Sequence, residues 1–334
     1  MQPFKSPIAR AIVYVIVTLY TIFCVIPFLW TTMQSLKTVR QAFARSPLFI
    51  FEPTFENYSE LWLSSTRANF GFLGMILVAA FVTFILLAFF GDKIKIPRIA
   101  TAIGAVVALF VTLWLLPKIV DTAEFYDYFV NSIIVTVGVV AISMTVGSLA
   151  GYALARYKGI DGLVILLVAL GFRALPRMAF ALPYYSLGQT IGTHDTYLML
   201  ILVMVAANQP FTIWMMRAFF AEIPAAMEES AKIDGLGPFA AFIRIVVPTA
   251  WPGIISTGLF SVLIAYHEFL LARVLTQSKW TLPVAIVQFT GGEAPGHIVL
   301  ASAAAVSATI PIVLIIIFFQ KYLVKGLTGG AVKG

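Results

Sequence analysis

Charge is what this sequence has least of. Of its 334 residues only 11% are Asp, Glu, Lys or Arg, against 60% hydrophobic, and its mean hydropathy is +0.97. Soluble globular domains carry about 25% charged residues. A chain this poor in polar material cannot cover a globule of its size, so its solvent is lipid. The single cysteine, Cys24, excludes intrachain disulfides and cysteine-built metal sites, and three scattered histidines supply no metal cluster. No G-x-x-x-x-G-K-[ST] occurs, so the chain has no nucleotide-binding loop and does not hydrolyse ATP by that route. Paired carboxylates and nucleophile constellations are missing too, which leaves a membrane-embedded enzyme without support. The net charge of +7 is dispersed over short loops rather than gathered in one patch, so nucleic acid is not a partner.

What is present is a series of apolar runs. A charge-free stretch from Ala11 to Leu36 follows Lys5 and Arg10, and Pro27 marks a tolerable kink. This run is longer than the 7–15 residues of a signal-peptide core, and it reads as a retained first span. Residues 37–67 form an outer loop with a short helix expected around Asn57–Leu63. Further spans are expected over Ala68–Gly91, Ile99–Pro117, Tyr128–Ala155, Leu163–Leu187, Thr196–Met216, Trp251–Leu271 and Ile298–Phe319. Each is near the ~20 residues that cross the hydrocarbon core. With both termini inside, the cytoplasmic segments hold thirteen basic residues and the outer loops seven, which favours that orientation. The expected fold is all-α and polytopic, with about eight transmembrane helices.

The longest polar interruption of the second half is 222–248. It opens Ile223-Pro224, carries Glu228, Glu229, Lys232 and Asp234, turns at Gly235-Leu236-Gly237-Pro238, and runs apolar to Pro248. Pro224 suits a first helical turn, the two glutamates suit the positive end of the helix dipole, and Glu228–Lys232 is an i,i+4 pair. Gly235 is a natural stop. Ala226, Glu229, Ser230 and Ile233 share one side of such a helix.

Here Glu229-Ser230-Ala231, Asp234-Gly235, Ile245 and Val247-Pro248 resemble the EAA motif of binding-protein-dependent ABC importer permeases, with Ser230 and Val247 as small departures. Ser35-Leu36-Lys37, Thr54-Phe-Glu-Asn57-Tyr58, Phe129-Val-Asn131-Ser132, Ala153-Leu-Ala-Arg156, Trp280-Thr-Leu-Pro283 and Gly329–Gly334 extend the resemblance to the second permease subunit of maltose-type systems. The resemblance implies a six-helix type I core and a second permease as heterodimer partner. It also implies two copies of an ABC ATPase that carry the ATP and Mg, and an extracytoplasmic binding protein for a sugar-like solute. This chain itself would hold no cofactor and no metal, and would sit in the cell inner membrane. Its coupling helix would present Glu228, Glu229, Ala231, Asp234, Gly235, Ile245 and Pro248 to the ATPase. The tail Gly330, Ala331, Val332, Lys333 and Gly334 would reach the ATPase as well.

The expected division is a first helix and outer loop (1–67), an inserted two-span hairpin (68–118) absent from the family's core, the core permease (119–320) and a cytoplasmic tail (321–334). Ionisable groups inside spans are costly and face cavities or partners. Arg173 and Arg177 are candidates for the lining of a pathway, with snorkelling to the interface as the alternative. Tyr266, His267 and Glu268 stand where the family carries W-N-E-F, and the first two changes put any inherited solute role in question. A proton-coupled secondary transporter using His267, Glu268 and the arginines is the competing class. The solute stays open among maltooligosaccharides, other disaccharides, polyols, glycosides and glycerol-3-phosphate.

Overall fold

The computed structural model describes residues 7–44, 49–63, 75–76, 104, 107–108, 111–118, 120–290 and 296–329, with backbone alone at 321 and 323–329. The expected span Ala68–Gly91 therefore lies almost wholly outside the described residues, Ile99–Pro117 is described only at 104, 107–108 and 111–117, and the tail 330–334 lies outside them.

The described chain is helical. In order it forms α1 (Pro7–Ser35), α2 (Val39–Ala42), α3 (Glu56–Trp62), α4 (Glu124–Arg156), α5 (Ile160–Arg173), α6 (Arg177–Thr190), α7 (Tyr197–Ala221), α8 (Ala225–Ile233), α9 (Pro238–Thr249), α10 (Trp251–Tyr266), α11 (Leu270–Leu275), α12 (Leu282–Thr290) and α13 (Gly296–Gly329). Helices dominate for a physical reason: in hydrocarbon every backbone N–H and C=O must be satisfied within the segment. α1, α4, α7 and the Gly296–Gln320 part of α13 are long and apolar enough to cross a membrane. α5 with α6 and α9 with α10 are bent pairs, at 90° and 78°, that bring the number to six if each pair is one span.

The fifth expected span, Leu163–Leu187, is thus not one continuous helix. α5 and α6 have 14 residues each and meet at a right angle across Ala174–Pro176. Pro176 cannot extend α5, and the residue before it is driven out of helical geometry. The seventh span also ends early: α10 stops at Tyr266 and α11 starts afresh at Leu270. In α9 a π turn over Phe242–Val246 lies just ahead of Pro248, whose ring and missing N–H do not fit a regular α ladder.

Two compact units divide the chain, Met1–Asp127 with Ile286–Thr309, and Tyr128–Ala285 with Ile310–Gly334. In the first unit, α3 is docked by polar anchors. Asn57 donates to the carbonyls of Ser35 and Lys37 at 2.8 Å each, and the Ser35 and Tyr58 hydroxyls are 2.7 Å apart. Trp62 packs edge-on against Phe125 at 5.0 Å, and its indole N–H donates to Ser307 at 3.1 Å. The S-L-K and E-N-Y segments, about twenty residues apart, are therefore two halves of one joint.

In the second unit α4 and α7 approach closely through glycine. A Cβ on Gly151 would stand 2.9 Å from the backbone N of Arg217, and one on Gly147 2.5 Å from the Thr212 side chain. Small residues one helical turn apart allow such an approach in a membrane, where packing rather than exclusion of water drives association. Val135, Val139, Leu200, Val203, Met204, Ala265, Leu271, Ala272 and Leu275 build the main core of this unit. A separate cluster of Met216, Phe220, Ile223, Phe242, Val246 and Ala250 underlies α8 and α9.

Candidate functional site

α8 is short, and its ends are defined by backbone chemistry. Ile223 is buried and Pro224 precedes the first helical residue. At the other end Gly235 takes φ +88°, the left-handed conformation that glycine adopts without strain. The Gly235 N–H donates to Lys232 O and the Leu236 N–H to Ala231 O, both at 3.0 Å. This crossed pair is a Schellman closure that satisfies carbonyls the helix would otherwise leave open. Nothing lies within 4 Å of a Cβ built on Gly235, so the backbone angle and not crowding inside the chain demands glycine.

The two glutamates of α8 point to different fates. Ala226, Glu229, Ser230 and Ile233 are exposed, with Ile233 at 86%. Glu228 and Ala231 are buried. Glu228 Oε1 accepts from Arg156 Nε at 2.7 Å, with a second bond from the same guanidinium, and Oε2 accepts from the Tyr152 hydroxyl at 2.6 Å. Arg156 also donates to the carbonyls of Phe220 and Ile223 at 3.1 Å each. Tyr152 packs its ring on Phe242 at 4.6 Å and Phe220 at 5.9 Å. Burial alone would raise the Glu228 pKa, but hydrogen bonds from Arg156 and Tyr152 and the nearby positive charges outweigh it, so the carboxyl titrates below its ordinary range. One guanidinium therefore ties together the end of α4, the end of α7 and the inner side of α8. The expected Glu228–Lys232 pair is not what positions Glu228: Lys232 adds field, and Arg156 adds the bonds.

The charges of the fifth and seventh expected spans gather at the α5–α6 bend. Arg177 pairs with Glu268, whose other oxygen accepts the Leu271 N–H at 3.2 Å at the start of α11. Arg173 stacks its guanidinium on the Phe211 ring of α7, 4.7 Å from the centroid. His267 is exposed and its Nδ1 contacts Leu263 O at 2.8 Å, while Tyr266 is buried. At the opposite end of α7, Asn131 donates to Trp280 O at 2.9 Å and Ser132 accepts the Leu282 N–H at 2.7 Å. Asp195 caps the same loop. Its carboxylate accepts the N–H groups of Gln277 and Ser278 at 2.7 and 2.9 Å and the Ser278 hydroxyl at 2.7 Å.

Residues 143–329, more than half of the chain, match the family described as "Binding-protein-dependent transport system inner membrane component". The chain belongs to that family. Among its relatives, the trehalose transport system permease protein SugB of Mycobacterium tuberculosis is 36% identical over 218 residues, 62% of this chain and 78% of the relative. The trehalose/maltose transport system permease protein MalG of Thermococcus litoralis is 34% identical over 217 residues, 64% and 77% of the two chains. A solved bacterial ABC transporter involved in the import of the acidic polysaccharide alginate superposes with a TM-score of 0.66 over 96% of this chain and 99% of that one. At 17% identity that likeness speaks for the fold alone.

As a transport component the permease is a multi-pass inner-membrane protein and not an enzyme. Its motif segments meet in pairs within their own units: S-L-K with E-N-Y, N-S with W-T-L-P, and A-L-A-R with Glu228 of α8. Of the residues singled out from sequence, Glu228, Glu229, Ala231, Asp234 and Gly235 share α8 and its closing turn, while Ile245 and Pro248 lie on α9. Arg177 and Glu268 are joined, whereas Arg173 turns to Phe211 and His267 to the carbonyl of Leu263. Sequence reasoning missed Arg156 and Tyr152 as functional partners, because their contact with Glu228 spans more than seventy positions. It also passed over Asp195, whose one local signal is its place directly before the Thr196 cap of α7.

Proposed function

We propose that this permease component forms one half of the translocation path of an ABC importer for a sugar or sugar-like solute, with α8 as the coupling helix. The observation that carries the reading is the two-sidedness of α8. Its inner side is fastened to α4 and α7 through Glu228 and Arg156, and its outer side offers Ala226, Glu229, Ser230 and Ile233 to a partner. A helix held this way moves with the spans it is tied to, so a push on its exposed face from an ATPase that closes on ATP becomes a rotation of those spans. The ATP and Mg belong to two ATPase subunits, and a second permease and a solute-binding protein complete the assembly. The names of the trehalose and maltose relatives support the solute class.

In the same reading both termini face the cytoplasm and eight spans cross the membrane, residues 68–118 supplying a peripheral hairpin. The tail Gly330–Gly334 touches the ATPase, and Asp234 braces the Gly235 turn. Family membership sets aside proton-driven transport, and His267 and Glu268 engage different partners rather than one another.

Cross-linking tests it. With Cys24 replaced by serine, Ser230→Cys should cross-link to the ATPase in the intact transporter, whereas Ala231→Cys on the buried side should not. ATP-driven uptake with no cross-link from any exposed α8 position would overturn the assignment.

A further inference from the structure

Arg173 stands in an expensive place with its charge only half answered. It ends α5 after 14 residues, about 20 Å of rise from Ile160. Its partner ring, Phe211, lies about 15 Å from the Ala221 end of α7. With Ile160 and Ala221 taken as the cytoplasmic ends of their spans, both distances put the guanidinium within the hydrocarbon depth of a bilayer, where a cation must face a partner or a water-filled cavity. The neighbouring Arg177 adds like charge. The nearby carboxylate, Glu268, is engaged elsewhere: one oxygen holds Arg177, the other accepts the Leu271 N–H, and neither meets Arg173. Among the described residues no carboxylate pairs with Arg173. A cation–π contact is worth at most about 2 kcal/mol and leaves the guanidinium's in-plane donors unused.

The ring that backs Arg173 is itself part of an aromatic group. Phe211 contacts Trp214 at 6.2 Å and Phe260 at 6.2 Å, and Trp214 is 45% exposed. A planar bidentate donor beside an open aromatic face is the combination that takes an anionic group attached to a flat apolar ring surface, such as a sugar.

We propose that Arg173, backed by Phe211, whose ring meets Trp214 and Phe260, is a binding site inside the membrane for an acidic group, a carboxylate or a phosphate, on the transported sugar. The inference rests on the importer reading above and narrows its solute class from sugars in general to sugars that carry negative charge. Arg177 and Glu268 act as a neutral pair that shapes the bend, so the site presents one net positive charge.

The test uses the complete transporter in lipid nanodiscs, without its binding protein, and three radiolabelled probes. These are a glucuronic-acid disaccharide, its carboxyl-reduced neutral counterpart and a disaccharide phosphate. At least one acidic probe should bind about tenfold or more tightly than the neutral one. Arg173→Gln should abolish the preference and Arg173→Lys should keep part of it, with Lys158→Gln, exposed in the turn between α4 and α5, leaving it unchanged. Equal binding of all three, binding of none, or a preference untouched by Arg173→Gln would overturn the proposal. Loss of the second permease from the Arg173→Gln complex would assign the arginine to a carboxylate of that subunit and overturn it equally. If the Ser230→Cys cross-link forms and the probes still bind alike, this inference alone has failed; a missing cross-link fails the importer reading instead.

Discussion

Arg156 closes two hydrogen bonds on one oxygen of the buried Glu228, fastening the inner side of α8 to the last turn of α4, and Tyr152 takes the other oxygen. The adjacent Glu229 points away from it, into solvent. Two glutamates side by side in sequence thus lie on opposite sides of α8.

This division makes the two glutamates separable. Removing one partner of a buried pair costs about 3 kcal/mol, because the other charge is left without compensation. Glu228→Gln should therefore lower the thermal unfolding temperature of the purified transporter, and Arg156→Met should lower it by a similar amount. Glu229→Gln should leave that temperature within a degree or so and reduce ATP-driven uptake. A Glu229 variant that destabilises the permease alone would show that the exposed glutamate carries structural work.

The same pair sets a pH limit. The Glu228 pKa in the folded permease lies below the ordinary glutamate value of 4.5. A group with a depressed folded pKa contributes stability above its unfolded pKa, and that contribution is lost as the pH falls through the folded value. The anchoring is therefore full at neutral pH and should fail only in acid below about 4.5. Thermal unfolding measured from pH 7 to about 2 should show wild type and Glu228→Gln holding apart down to about pH 4.5 and converging below it. A constant gap between them across that range would mean that the carboxylate's charge is not what matters.

Gly235 separates backbone cost from bulk. The left-handed angle costs an L-residue about 1–2 kcal/mol, and Gly235 is exposed with open space where a Cβ would stand. Gly235→Ala should weaken α8 modestly and leave most uptake. Gly235→Trp carries the same backbone cost and adds a large side chain on the face proposed for the ATPase, so it should abolish uptake while the ATPase continues to turn over. Equal uptake by the two variants would remove the coupling role from this turn.

Much of α8 is legible in the residues themselves. The proline, the glutamates, the glycine stop and the shared side of Ala226, Glu229, Ser230 and Ile233 all follow from local rules of helix geometry, and the structure has them within a residue. The long spans are legible for the same reason, since lipid permits little besides helix. What local rules cannot give is tertiary. Spacing offers Lys232 to Glu228 because it lies four residues away, while the real donor lies on another helix. The right-angle break at Ala174–Pro176 is half-visible in Pro176, but its angle depends on how α6 packs against α11. Arg173 and Arg177 look equivalent in sequence, and Glu268 distinguishes them by taking one of them.

Asp195 is illegible for a related reason, and it yields the sharpest test of the loop it closes. Its φ of +59° is one that Asp and Asn tolerate better than other residues with a Cβ. Burial would raise its pKa, but the backbone and hydroxyl donors of Gln277, Ser278 and Lys279 together bring it below the ordinary aspartate value. Those bonds hold the segment that leads to Trp280, whose carbonyl Asn131 reads at 2.9 Å. Asp195→Asn keeps the backbone preference and an acceptor oxygen but loses charge, so it should cost about 1 kcal/mol. Asp195→Ala loses the acceptors and adds the left-handed strain, so it should cost about 2–3 kcal/mol. Thermal unfolding of the two variants should rank them in that order, with the loop around Ser278 becoming more accessible to proteolysis in the alanine variant. If the two destabilise alike, the hydrogen bonds rather than the backbone angle account for the whole effect; if neither does, the clamp on Gln277 and Ser278 contributes nothing to the stability of the permease.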